Sequence, residues 1–176
     1  MTAALRTLRM LTRYTAWADA RLYAAVAGLP QHELAARRAT GAGSLLGTLG
    51  HAWVVDQIWQ AHLEDRPHGY TTRNAPTAPT LATLQAGQEA LDAWYIACAD
   101  AMDERAHDEV VNFHFVDGGA GAMQRGDILL HVVNHKTYHR GYVAQMLYEA
   151  GSRPPVMDLP VFLRDVPQAP AADPAV

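Results

Sequence analysis

Leu8, Leu11, Thr15, Ala18, Leu22, Ala25 and Leu29 recur at alternating steps of three and four residues. That spacing draws one seam along a helix and is incompatible with a strand, whose faces alternate every second residue. The helix is expected over Ala3 to about Ala27, and the Gly-Leu-Pro that follows opposes continuation. Met10, Tyr14 and Trp17 make a second apolar face on it. A helix with two apolar faces has two surfaces to bury, one inside the fold and one against another subunit, so a homodimer is expected.

Three further helical patterns follow. One opens after "GAGS", with Ser44 as N-cap, and runs to about Glu64. The polar, proline-rich stretch "DRPHGYTTRNAPTAPT" connects it to a third helix, from near Thr80 to around Glu104. In "EVVNFHFVDGGAGAMQ" the period changes: Val111, Phe113 and Phe115 alternate with polar residues and glycines follow, which predicts a short β-hairpin. The fourth helix spans about Asp127 to Ala150, with Gly151 as its C′ residue. "SRPPVMDLPVFLRD" is expected to pack as an extended arm with one turn of helix, and residues 166–176 to be a disordered tail. The expected fold is all-α, a four-helix bundle with a β-hairpin before the fourth helix, in a single domain over residues 1–165.

Composition narrows the function. No apolar run approaches the roughly 20 residues that span a bilayer, and the arginine-studded first segment has no signal-peptide core, so a cytoplasmic location without membrane contact is expected. The net charge of −4 argues against nucleic acid, whose phosphates need a concentrated positive field. The single cysteine, Cys98, excludes an internal disulfide and a thiolate metal cage. It lies in an apolar stretch with no basic neighbour, so a buried, inert thiol is expected.

The unusual count is nine histidines. His131, His135 and His139 lie four residues apart on the fourth helix, forming one slanting row in which neighbours differ by about 40° in heading. Measured from the apolar residues Ile128, Val132, Val143 and Met146, His139 lies nearest the inward direction, His135 next, and His131 at the rim. An uncharged, unpaired imidazole in a core strands a polar nitrogen at a cost of about 1–3 kcal/mol. A pair of charged imidazoles repels. A divalent cation removes both problems, and a His pair at i, i+4 grips one. His51, at the margin of the second helix's apolar face, is the best third ligand. Among nine histidines such a spacing also arises by chance, and a core histidine bonded to a carbonyl satisfies it as well, so the spacing leaves both readings open. His32, His68 and His107 fall in turns or linkers and are expected to be solvated; His114 lies opposite the apolar residues of its strand. His62 stands three turns, about 16 Å, from His51 and cannot join it. Asp56 is expected to make a bundle or cap contact.

Three segments together resemble the DinB-like (YfiT-like) family of bacterial proteins. "YTAWADARL" resembles its first-helix Tyr-x-x-Trp-Ala-Asn, with Asp19 where Asn is usual. "SLLGTLGHAWVVDQIW" resembles the second-helix signature, a His followed five residues later by Asp and then by Ile/Leu-Trp. "HVVNHKTYHRGYV" resembles Asn-His-x-x-His-His-Arg-Gly-Gln, with Tyr138 replacing a His and Tyr142 replacing the Gln. The resemblance implies a four-helix bundle, usually dimeric, with a divalent metal on His51, His135 and His139; an all-imidazole donor set suits zinc, nickel or iron without choosing among them. Neither tyrosine is a ligand position, so the departures bear on substrate contacts.

Relatives in that family include bacillithiol S-transferases and a mycothiol-dependent maleylpyruvate isomerase. The resemblance therefore implies a metal-dependent enzyme, a thiol-dependent transferase or isomerase, acting on a small molecule with a low-molecular-weight thiol as partner; a hydrolase fits the chemistry of the site alone. The alternative is a non-catalytic metal-binding stress-response protein. No Asp or Glu of the fourth helix is placed as a general base. Tyr138 or Asn134 could orient a ligand, and Arg140 could meet an anionic group.

Overall fold

The computed structural model describes residues 1–75 and 79–167. These residues are mostly helical, with seven helices and one antiparallel two-stranded sheet. In chain order they form α1 (Ala3–Ala27), α2 (Gln31–Ala35), α3 (Leu45–Leu63), α4 (Leu81–Ala101), α5 (Glu104–Asp108), β1 (Val110–His114), β2 (Ala120–Gln124), α6 (Arg125–Glu149) and α7 (Leu159–Asp165). The long helices α1, α3, α4 and α6 begin and end close to where their patterns predict. α1 packs on α4 and α6, and α3 packs on the same two.

Local chemistry explains the boundaries. The Ser44 hydroxyl accepts from the Gly47 amide at 3.0 Å, and Thr80 does the same for Thr83 at 3.1 Å, each satisfying an amide that the first helical turn leaves open. Gly151 has φ +73°, the left-handed conformation that ends α6 with little strain. The third helix stops short of the predicted end. Asp103 accepts from the Ala106 amide at 2.8 Å and so caps a new helix, α5, instead of extending α4. The short α2 was not anticipated; its anchor is the buried Leu34.

The hairpin forms in register Val111↔Met123 and Phe113↔Gly121. Val111 and Phe113 face the core, but Phe115 lies beyond the strand and is exposed. A turn holds it there, with the Phe115 amide donating to Gly119 O and the Gly118 amide to Phe115 O.

The C-terminal arm changes the reading of α1. Phe162 of α7 is buried, with its ring 5.8 Å from Tyr14 and 5.6 Å from Trp17. The Tyr14 hydroxyl donates to Met157 O at 2.8 Å. The second apolar face of α1, expected to meet another subunit, is thus covered at Tyr14 and Trp17 by the chain's own arm. Of the expected tail, 166–176, only Val166 and Pro167 fall within the described residues.

Two apolar clusters fill the interior. One gathers Leu5 and Leu8 of α1, Trp59 and Leu63 of α3, Tyr95 of α4, Phe113 of β1 and Ile128 and Val132 of α6. The other gathers Leu22 and Val26, Leu45 and Leu49, Leu84, and Val143, Met146 and Leu147. Between them, along every long helix, lies a buried polar layer: Thr12, Thr15 and Asp19 on α1, Asp56 on α3, Gln88 on α4, Lys136 and Arg140 on α6. Among the described residues no helix is long and apolar enough to cross a membrane.

Candidate metal centre

The polar layer is an ion network. Lys136 Nζ lies 2.9 Å from Asp19 Oδ2 and 3.5 Å from Asp56 Oδ2, and Arg140 Nη1 lies 3.1 Å from Asp19 Oδ1. Gln88 bridges two carboxylates, donating to Asp56 at 3.0 Å and Asp92 at 2.8 Å. The Tyr95 hydroxyl donates to Asp56 O at 2.7 Å. Burial works against the Lys136 charge, yet Asp19, Asp56 and Asp92 outweigh it and hold the ammonium protonated. Burial pushes the Asp56 carboxyl up to about 6, against the pull of Lys136. Asp56 thus makes the bundle contact expected of it. Arg140 is buried in this network, not free to meet an anionic ligand.

At the same level of α6, facing α3, stand the histidines. His51, His135 and His139 converge so that one ring nitrogen from each lies within 4.8 Å of the others. Ring centroids are 5.4 Å apart for His51–His135, 4.7 Å for His51–His139 and 4.4 Å for His135–His139. The i, i+4 geometry of α6 supplies the pair; packing of α3 on α6 supplies the third member.

Proton positions follow from the partners. His51 Nδ1 lies 2.8 Å from Arg73 O. A carbonyl only accepts, so Nδ1 carries a proton and Nε2 is the ring nitrogen left to meet a metal. Burial lowers His135 to about 3, reinforced by the neighbouring imidazoles and Lys136, and lowers His139 to about 4, reinforced by His51 and Lys136. Both are neutral at pH 7, the form that binds metal.

The Nε2 atoms of His135 and His139 are 3.1 Å apart. Metal–nitrogen bonds of about 2.0–2.1 Å place two ligand nitrogens roughly 3 Å apart, so this spacing fits a shared ion. Both Nδ1 atoms are buried without a protein partner. The donor set is all imidazole, which suits a borderline transition metal better than calcium or magnesium.

His131 stays outside the group. Its ring stacks 5.8 Å from His135 and meets Trp59 edge-on at 4.9 Å. It is half-buried against an aromatic wall, so the rim position expected for it is a packed one. Two histidines expected in solvent are also engaged: His68 Nδ1 accepts from the Tyr70 amide at 3.0 Å, and His107 contacts Asp108 at 2.6 Å. Cys98 is half-buried, and burial raises its thiol, which keeps it protonated and unreactive.

A cavity of about 610 Å³ opens beside His51 and His139, a volume that suits a small-molecule ligand. Tyr138 and Tyr142 form one wall, and residues of the α3–α4 connection, Thr72 and Arg73 among them, form another. The sequence reading missed Lys136. Its signal was present: Leu129, Val132, Lys136, Arg140, Val143 and Leu147 continue one inward seam, so a charge at 136 is necessarily buried.

Fold and site together define a mostly helical protein with a three-histidine cluster compatible with metal binding, set beside an open cavity. The chain belongs to the DinB family, whose model matches residues 1–169. No curated protein matches it.

Proposed function

We propose that this protein is a divalent-metal-dependent enzyme acting on a small molecule, with His51, His135 and His139 as the ligands. The observation that carries this reading is the open cavity beside three convergent imidazoles. Three protein ligands with free positions are the pattern of a catalytic site, whereas structural sites are closed by four. An ion held there supplies a Lewis acid and lowers the pKa of a bound water or thiol toward neutrality. The protein's own part is positional. Arg73 O fixes the ring of His51, and the Lys136–Asp19–Asp56 network holds α1, α3 and α6 together at the level of the ligands. The reading takes the four long helices as a four-helix bundle, which their mutual packing supports.

The reaction proposed is thiol-dependent transfer or isomerisation, with hydrolysis as the simpler use of the same site; zinc, nickel and iron are the candidate ions, in a cytoplasmic homodimer. The competing reading is a non-catalytic metal-binding stress-response protein. In its favour, the ligands bridge α3 and α6, so an ion would also staple the fold. Elemental analysis of protein purified without an affinity tag, followed by a panel of low-molecular-weight thiols with electrophilic acceptors, tests the proposal. Near-stoichiometric metal with thiol turnover supports the enzyme. Metal without turnover of any thiol or hydrolysable ester, together with unfolding on chelation, supports the structural role.

A further inference from the structure

Tyr138 and Tyr142 are the two positions at which this chain departs from the helix pattern it resembles around its histidines. They are also 60% and 38% exposed, and neither belongs to an apolar cluster of the interior. Their hydroxyls lie 2.7 Å apart, and their rings meet edge-to-face at 4.9 Å and 86°. The corner they form is anchored on a histidine of the site: the Tyr138 ring lies 5.0 Å from that of His139, and Tyr142 lies 6.1 Å from it. Both line the 610 Å³ cavity together with His51 and His139.

Tyr138 contributes little to folding, since most of its surface stays wet, and Tyr142 leaves more than a third of its own uncovered. What they offer is a preorganised face. The hydroxyl–hydroxyl bond ties two side chains into one geometry, so less rotamer freedom is lost when a ligand packs on them. One hydroxyl donates to the other, and the accepting hydroxyl keeps its own proton for an outside acceptor. The corner therefore presents a ring face, a ring edge and one free O–H beside the three imidazoles. Thr71, Thr72 and Asn74 add hydroxyl and amide groups to the lining of the same cavity.

We propose that Tyr138 and Tyr142 are specificity-determining residues: they select ligands that carry a planar unsaturated or aromatic group next to the metal-binding atom, with an oxygen acceptor for the free tyrosine proton. They take this role only if the cavity beside the histidines is the ligand site proposed above. A planar group stacks on the corner; a compact saturated one leaves both rings wet.

Titration of cobalt(II)-loaded protein with acetohydroxamate and with benzohydroxamate, followed by visible absorption, tests this. The two probes share a metal-binding head and differ in methyl against phenyl. The wild type is expected to bind benzohydroxamate about three- to tenfold more tightly, the range of one aromatic contact. In the Tyr138→Ala/Tyr142→Ala double variant, with cobalt uptake unchanged, the ratio falls to about one. The Tyr138→Phe/Tyr142→Phe double variant keeps the ring preference but weakens both probes, which separates stacking from the hydroxyl contact. Equal binding of the two probes by the wild type, or a preference that survives in the double Ala variant, overturns the assignment. So does a double variant whose molecular mass changes while its selectivity does not, because the corner would then be a subunit contact. A protein that takes up no cobalt, or whose spectrum neither probe perturbs, fails at the site itself and takes both readings down.

Discussion

The ammonium of Lys136 sits 2.9 Å from the carboxylate of Asp19, with the two residues only 3% and 2% exposed. A full ion pair therefore occupies the middle of the interior, between two apolar clusters, and joins α6 to α1. Such pairs add little net stability over an apolar replacement, but breaking one strands a buried charge. Lys136 follows His135 directly in the chain, and Arg140 follows His139, so the side of α6 that carries the network and the side that carries the imidazoles are held together.

Replacing Lys136 by Met leaves Asp19 and Asp56 facing each other with only Arg140 in compensation. The expected loss is about 3–5 kcal/mol in denaturant unfolding of metal-free protein. A loss under about 1 kcal/mol would mean that the lysine is dispensable and that the network does not hold the helices.

His51→Ala, His135→Ala and His139→Ala are each expected to abolish metal retention after dialysis against a mild chelator, whereas His131→Ala retains it. The first three converge within 4.8 Å, while His131 packs against Trp59. Metal per chain, measured for four separate variants beside the wild type, decides the matter. Loss in His131→Ala with retention in His139→Ala would place the ion one turn nearer the start of α6.

Acid should destabilise the metal-free fold through the same imidazoles. Burial lowers His135 and His139 from 6.5 to about 3 and about 4. The unfolded chain therefore takes up protons first as the pH falls, and stability drops from about pH 6.5 downward until the folded values are reached. Melting temperature against pH in the presence of a chelator should show this slope, and His135→Gln should flatten it. An unchanged slope in the variant would mean that other groups carry the acid sensitivity. In metal-loaded protein the loss begins at the same pH, set by the unfolded histidines, and continues further down, since the ion keeps protons off the same nitrogens in the fold.

Phe162→Ala uncovers Tyr14 and Trp17, which meet the ring at 5.8 and 5.6 Å. Loss of a buried aromatic ring is expected to cost about 3 kcal/mol, read by thermal or denaturant unfolding. Light scattering on the same variant should show more self-association than the wild type, because an apolar face loses its cover. A variant as stable as the wild type would mean that the arm lies on α1 without supporting it.

Periodicity and caps are local, and the sequence by itself determined what depends on them. The spacing of Leu8 to Leu29, the hydroxyl of Ser44, Gly151 and the alternation at Val111 and Phe113 placed the long helices and the hairpin to within a few residues. The four-residue step from His135 to His139 made those two neighbours on any helix, whatever packs around it. The α4–α5 break was less legible, because Asp103 had to outcompete continuation of the helix. What no local rule contains is which face meets which. Only the tertiary structure brought His51 to the α6 pair, put Arg73 O against its ring, and paired Lys136 and Arg140 with Asp19. It also laid Phe162 over Tyr14 and Trp17, residues about 145 positions away in the chain. Each of these depends on the packing of separate helices and on charges that are stable in the interior only with their partners. An apolar stripe specifies that a face is buried, and the fold alone specifies against what.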